Sequence, residues 1–235
     1  MPDKVQHLFP APPSPVLPVR GRPEVVPLNR IFCVGRNYEA HANEMGVAVD
    51  RDAPFYFTKS ARHYVPSGTT VPYPPGTANY HYEIELVVVI GRPAFRVPVD
   101  RALDYVFGYG CGLDMTRRDL QLVAREQRRP WDLGKDVEQS AVIADIVPAT
   151  ECGHPASGSI ELRVNGNMKQ QSDLSLLIHS VPEIVAHLSK FYHLEPGDVI
   201  FTGTPEGVGP IMPGDLVQGS VAQVGDISLT VGQAQ

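Results

Sequence analysis

Cysteine is scarce in this chain: only Cys33, Cys111 and Cys152 are present. They are odd in number and far apart, which excludes a disulfide framework and any Cys-x-x-Cys metal site. Cys33 and Cys111 lie in apolar segments and read as core residues. This usage fits a reducing cytoplasm. Excess positive charge is missing as well. The net charge is −6, and no basic cluster is interleaved with aromatics, so a nucleic-acid partner is not expected. No apolar run approaches the roughly 20 residues that span a bilayer. Residues 1–27 lack the apolar stretch of a signal peptide. Neither a membrane nor an export route is expected.

Turn formers are abundant. Twenty-three prolines and 21 glycines among 235 residues point to many strands and turns rather than a helical bundle. Residues 1–27 are proline-rich, an extended lead lying along the body or free of it. Residues 28–235 form the body.

The central stretch is Tyr80 to Gly91. It ends in a β-branched run that reads as a buried strand, and Glu83 and Glu85 stand where that strand begins. Residues two apart on a strand point to one face, so the two carboxylates should project side by side. Like charges held that close repel unless a cation lies between them. Oxygen donors on one face suit a hard divalent ion; taken alone, the pair reads equally as an edge strand with a solvated acidic face.

Other segments add candidates. Arg30–Gly35 reads as a strand, with Asn37 as an N-cap for a short helix over 38–45 stopped by Gly46. His41 and Glu44, three apart, share a face of that helix; the pair reads either as a surface polar pair or as a general-base dyad, in which the carboxylate fixes the tautomer of the imidazole and raises its basicity. Lys59 ends an aromatic strand, either snorkelling or facing an anion. Asp114 precedes a helix expected over 117–127. Thr116 and Asp119 resemble a capping box there, and Leu120, Val123 and Ala124 an inward stripe. Arg118 and Gln121 share a face of this helix. Lys135 sits in a loop that holds the sole tryptophan, Trp131. Asn165-Gly166 signals a hairpin. Ser180 and Glu183 signal a capping box ahead of an apolar stripe of Ile184, Val185, Leu188 and Phe191. His187 and His193 read as ordinary surface residues. The small-residue loop Thr202–Gly209 can offer hydroxyls and N–H groups to an anion.

Taken in this order, the strings resemble the fumarylacetoacetate hydrolase family. They are Gly35-Arg36-Asn37-Tyr38 with His41 and Glu44, Tyr82-Glu83-Ile84-Glu85-Leu86, Gly112-Leu113-Asp114 through Gln121, and Thr202 through Gly209. The resemblance runs from about Arg30 to Val231. Arg129-Pro130-Trp131-Asp132 and Gly134-Lys135 look most like the members that cleave fumarylpyruvate, bacterial enzymes of aromatic catabolism through gentisate. One departure is Ser60 after Lys59, where relatives often have proline.

The resemblance implies a mixed α+β, mostly β fold, a roll or sandwich with short peripheral helices, commonly as a homodimer. It implies Glu83, Glu85 and Asp114 as ligands of Mg²⁺ or Mn²⁺, with Ca²⁺ able to take the place in a crystal. It implies His41 and Glu44 as a catalytic dyad and Lys135 as support for developing charge. Arg118, Gln121 and Thr204 are implied substrate contacts. The expected activity is metal-dependent hydrolysis of a carbon–carbon bond in an acylpyruvate. Cleavage of simpler acylpyruvates, oxaloacetate decarboxylation and a non-catalytic metal- or ligand-binding β protein are the alternatives. A distal substrate carboxylate would need a cation, for which Arg36, Lys59, Arg62 and Arg117 are the candidates.

Overall fold

A computed structural model describes residues 8–46 and 51–234; the first seven residues of the proline-rich lead lie outside it. The largest sheet runs, in spatial order, Phe55–Lys59, Ile31–Gly35, Val199–Phe201, Ile84–Ile90, Val106–Asp114, Ala141–Ile143 and Tyr64–Pro66. A second sheet runs Asn167–Asp173, Ser159–Val164, Leu216–Val221, Gly225–Gly232 and Thr69–Pro72. A third, three-stranded sheet places Tyr80–Tyr82 between Thr116–Arg117 and Gly209–Ile211. The mostly β expectation holds. Among the described residues, no helix is long and apolar enough to cross a membrane.

Ile84–Ile90 is buried on both faces, which explains the unbroken apolar run from Leu86 to Ile90. Ile84, Leu86, Val88 and Ile90 belong to the core shared with Ile160, Leu162, Val217 and Leu229 of the second sheet. Val87 and Val89 belong to a separate core with Ile31, Cys33, Ile143 and Phe201. Glu83 and Glu85 share the parity of Val87 and Val89, so they extend the second core's side of the sheet.

The proline-rich lead is not loose over its second half. Val16–Pro18 pairs antiparallel with Val25–Pro27, Ile146 N–H donates to Pro18 O at 2.8 Å, and Leu17 is fully buried in the second core. The Asn165-Gly166 turn forms as expected, with both residues at positive φ (51° and 79°), the geometry of a tight hairpin turn. The Ser180–Glu183 capping box also forms.

Several local expectations fail for identifiable reasons. Asn37 does not cap the helix Glu39–Glu44. It is fully buried, accepting from His179 N–H at 2.7 Å and donating to His179 O and Thr202 O at 2.9 and 2.8 Å; it staples three segments together. Thr116 and Asp119 make no capping box. Asp119 accepts instead from Thr77 Oγ1 and Ala78 N–H. The helix Arg118–Glu126 buries Arg118 and Gln121, whereas Val123 is exposed, so its inner face is polar. Phe191 likewise leaves its apolar stripe and is exposed. His187 is not an unpartnered surface residue: its Nδ1 lies 3.1 Å from Tyr56 Oη.

Candidate active site

Three carboxylates converge. The antiparallel register sets Ile84 opposite Leu113, and Asp114 N–H donates to Glu83 O at 2.9 Å. Asp114 therefore stands beside Glu83, one strand away. The strand breaks at Glu83, where the chain passes from the small sheet into the large one. Glu83, Glu85 and Asp114 are all buried, and one oxygen of each lies within 4.8 Å of the others. Glycine permits the packing around them: a Cβ on Gly112 would lie 2.4 Å from Val87 Cγ2.

Buried lysines surround this cluster. Lys135 is 2% exposed, a burial that a lysine tolerates only when paired. It sits on the helix Asp132–Lys135. Its Nζ donates to Glu83 Oε2 and Asp114 Oδ2, both at 2.7 Å, and to Thr116 Oγ1 at 2.8 Å. Lys59 neither snorkels nor faces the cleft. Its Nζ lies 2.8 Å from Asp114 Oδ1, while its three N–H bonds go to Met115 O, Lys135 O and Ser140 Oγ. Asp114 Oδ1 thus has a charge nearby but no hydrogen bond. Arg118 donates to Glu83 Oε1 and Gln121 Oε1 and, through Nε, to His81 Nδ1 at 3.3 Å.

These neighbours set the charges. Burial disfavours ionised Glu83, but Lys135 and Arg118 outweigh it and hold the carboxyl well below the usual range. Burial, then the charges of Asp114 and Glu83, push Glu85 well above it. Burial opposes the charge on Lys135, yet Asp114 and Glu83 raise its pKa. For Glu85, Gly203 N–H donates to Oε2 at 2.6 Å. Gly203 is at φ +102°, and a Cβ there would lie 2.6 Å from Asn37 Cβ, so glycine alone allows this approach. The loop expected to cradle an anion therefore grips a carboxylate of the protein itself.

A hard divalent cation fits this donor set. All three donors are carboxylate oxygens, Asp114 Oδ1 keeps an unused buried lone pair, and a cation beside Glu85 would relieve the repulsion that raises its pKa.

His41 and Glu44 meet as their spacing requires. Nδ1 lies 3.1 Å from Glu44 Oε2, and Gly207 N–H donates to Glu44 Oε1 at 3.1 Å. Burial alone would raise the Glu44 pKa, but the His41 and Gly207 hydrogen bonds bring it below the usual carboxylate value. With Nδ1 turned to Glu44, Nε2 is the working nitrogen. One cleft is lined by His41, Glu83, Glu85, Arg118, Gln121, Lys135 and Thr204, which brings together the expected site residues except Glu44 and Asp114, held directly behind His41 and Lys135. Of the four distal cations considered from sequence, only Arg36 lines it. Sequence reasoning passed over Gln170, buried in Asn167–Asp173: its Oε1 accepts Ile84 N–H at 3.1 Å and its Nε2 donates to Thr204 Oγ1 at 2.9 Å. It also passed over His81 and Arg125. A polar strand and a helix-surface arginine carry no local signal for such roles.

A fumarylpyruvate hydrolase from Ralstonia sp is 55% identical over 193 residues, 81% of this chain and all of that protein. The mitochondrial oxaloacetate tautomerase of Pongo abelii is 41% identical over 191 residues, 81% of this chain and 86% of that one. The crystal structure of Pseudomonas aeruginosa fumarylpyruvate hydrolase in complex with Mn²⁺ and pyruvate superposes with a TM-score of 0.94 at 46% identity, covering 97% of this chain and 100% of that one. The fumarylacetoacetate (FAA) hydrolase C-terminal profile matches residues 30–232. With its fold, its carboxylate cluster and these matches, the chain belongs to the fumarylacetoacetate hydrolase family.

Proposed function

We propose that the protein is a metal-dependent hydrolase that cleaves the carbon–carbon bond of an acylpyruvate, fumarylpyruvate to fumarate and pyruvate, as a step of gentisate catabolism. The observation that carries this reading is the shared cleft: His41, of a His–Glu pair able to activate water, opens onto the same space as Glu83 and Glu85, of a three-carboxylate cluster able to hold a divalent ion. A relative of the same fold bound to Mn²⁺ and pyruvate supports the same class of substrate.

When bound at Glu83, Glu85 and Asp114, the divalent ion supplies Lewis-acid polarisation of a 2-oxo acid. The chain's own residues do the rest. His41 Nε2 takes a proton from water, with Glu44 holding the ring and stabilising its charge. The water oxygen bonds to the acyl carbonyl remote from the 2-oxo acid. The bond to the methylene carbon breaks, and its electron pair leaves as the pyruvate enolate. Lys135, a buried cation, stabilises the developing negative charge. His41, now protonated, returns the proton to the methylene carbon. Thr204 Oγ1 accepts from Gln170, which leaves its own O–H to donate into the cleft. Arg118 and Gln121 form the wall on which the substrate is positioned.

Oxaloacetate is the competing substrate, on the strength of the 41% identical tautomerase. Purified protein with Mn²⁺ should remove the ultraviolet absorbance of fumarylpyruvate, and a chelator should stop it. Turnover of oxaloacetate without turnover of fumarylpyruvate would overturn the proposal.

A further inference from the structure

Two arginines at the outer end of the cleft have no part in the chemistry above. Arg36 follows the strand Ile31–Gly35 at φ 60°, a conformation uncommon outside glycine. Its guanidinium lies 5.7 Å from the Phe55 ring centroid and 5.6 Å from that of Trp131. Arg125 projects from the helix Arg118–Glu126 and donates to Met45 O at 2.9 Å. Both line the cleft. The arginines that form ion pairs among the described residues are others: Arg22, Arg30, Arg51, Arg101 and Arg118. Burial, and then the charge of Arg125, lower the pKa of Arg36. Two like charges facing one space at a functional cleft are a site for an anion.

The remaining sequence candidates fall away on position. Lys59 is buried against Asp114. Arg117 Nη1 turns to Leu133 O, and neither it nor Arg62 lines the cleft.

We propose that Arg36 and Arg125 form a subsite for a second carboxylate, so that the cleft selects 2-oxo acids carrying a terminal carboxylate at the far end of the acyl chain. This rests on the acylpyruvate reading above and specifies its substrate class. The helix acts as the ruler. Arg118, Gln121 and Arg125 follow the three- and four-residue spacing of one helical face. Seven residues separate Arg118, on Glu83, from Arg125, which is roughly 10 Å along the axis. An extended seven-carbon chain spans roughly 7–8 Å between its end carbons, and the flexible arginine covers the remainder. Phe55 and Trp131 hold the Arg36 guanidinium in place, which lowers the entropy cost of binding.

The test uses ligands that cannot be cleaved. 2-Oxopimelate and 2-oxoheptanoate share the 2-oxo acid and chain length and differ only in the terminal carboxylate. In calorimetric titrations of the full chain with Mn²⁺, the wild type should bind 2-oxopimelate at least about tenfold tighter, as expected for a charged hydrogen bond. Arg36→Met and Arg125→Met should each remove most of that gap; comparing two ligands on each protein cancels any general loss. No preference in the wild type, or an undiminished preference in both variants, overturns the subsite. Failure of the acylpyruvate reading is seen separately, as absence of fumarylpyruvate turnover by wild type.

Discussion

His41 Nδ1 and Glu44 Oε2 lie 3.1 Å apart on one short helix, and the loop that supplies Gly203 to the carboxylate cluster also supplies Gly207 to Glu44. The partner of the proposed base and Glu85, one of the proposed metal ligands, are thus held by the same stretch of backbone. Replacing His41 with alanine should lower kcat on fumarylpyruvate by about 10²–10⁴-fold, with Mn²⁺ affinity kept within a fewfold by calorimetry. Glu44→Gln should cost less, since it keeps a hydrogen-bond acceptor. Full turnover by His41→Ala would remove the dyad from the mechanism.

Glu85 reads differently with and without a cation. Its carboxylate is buried beside two others and accepts Gly203 N–H. Glu85→Gln keeps that acceptor and removes one negative charge. The variant should lose Mn²⁺ binding by electron paramagnetic resonance, yet melt a few degrees higher than wild type in the presence of a chelator. A variant that binds Mn²⁺ as well as wild type would exclude Glu85 as a ligand.

His81 gives the pH dependence a sign. Nδ1 accepts from Arg118 Nε and Nε2–H donates to Asn79 Oδ1 at 2.8 Å, so the ring must be neutral. Burial, and next the charge of Arg118, lower its pKa from 6.5 to about 4. Between these values the unfolded chain binds a proton that the folded chain refuses. The contribution is therefore complete above about pH 6.5 and is lost as pH falls towards 4. The melting temperature of metal-free protein should drop over this range, and His81→Gln should flatten the drop. An unchanged profile in the variant would place the acid sensitivity elsewhere.

Leu17 tests the proline-rich lead. The side chain is fully buried in the second core, so Leu17→Ala should destabilise the protein by about 2–4 kcal/mol, read as a lowered denaturation midpoint. A negligible change would mean that the hairpin contributes little to the fold.

Much of the site was legible because its residues come in short strings. Glu83 and Glu85 follow from strand parity, and His41 and Glu44 from helical spacing. The acidic cluster needed Asp114 from a neighbouring strand, which family resemblance supplied and local pattern did not. What stayed hidden depends on contacts between distant segments. Lys59 reaches Asp114, and Gln170 reaches Ile84 and Thr204, with no trace in their own neighbours. The helix after Asp114 misled for a physical reason. Its inner face meets a polar cleft instead of the core, so Arg118 and Gln121 are buried and Val123 is exposed. Capping signals failed at Asn37 and Thr116 because other segments claim both side chains: His179 N–H donates to Asn37 Oδ1 and Lys135 Nζ to Thr116 Oγ1.

The parity of Ile84–Ile90 has a bearing on quality control. The side chains of one strand are divided between two cores, and the carboxylates ride on one of the two sets. Sliding this strand by a single position would exchange the sets and turn Glu85 into the wrong core. With Glu83, Glu85 and Asp114 as the proposed ligands, a mispaired molecule would be blind to the divalent ion as well as badly packed. Stoichiometric Mn²⁺ uptake can accordingly count the fraction of a preparation whose central strand has zipped up correctly, with no need for a substrate.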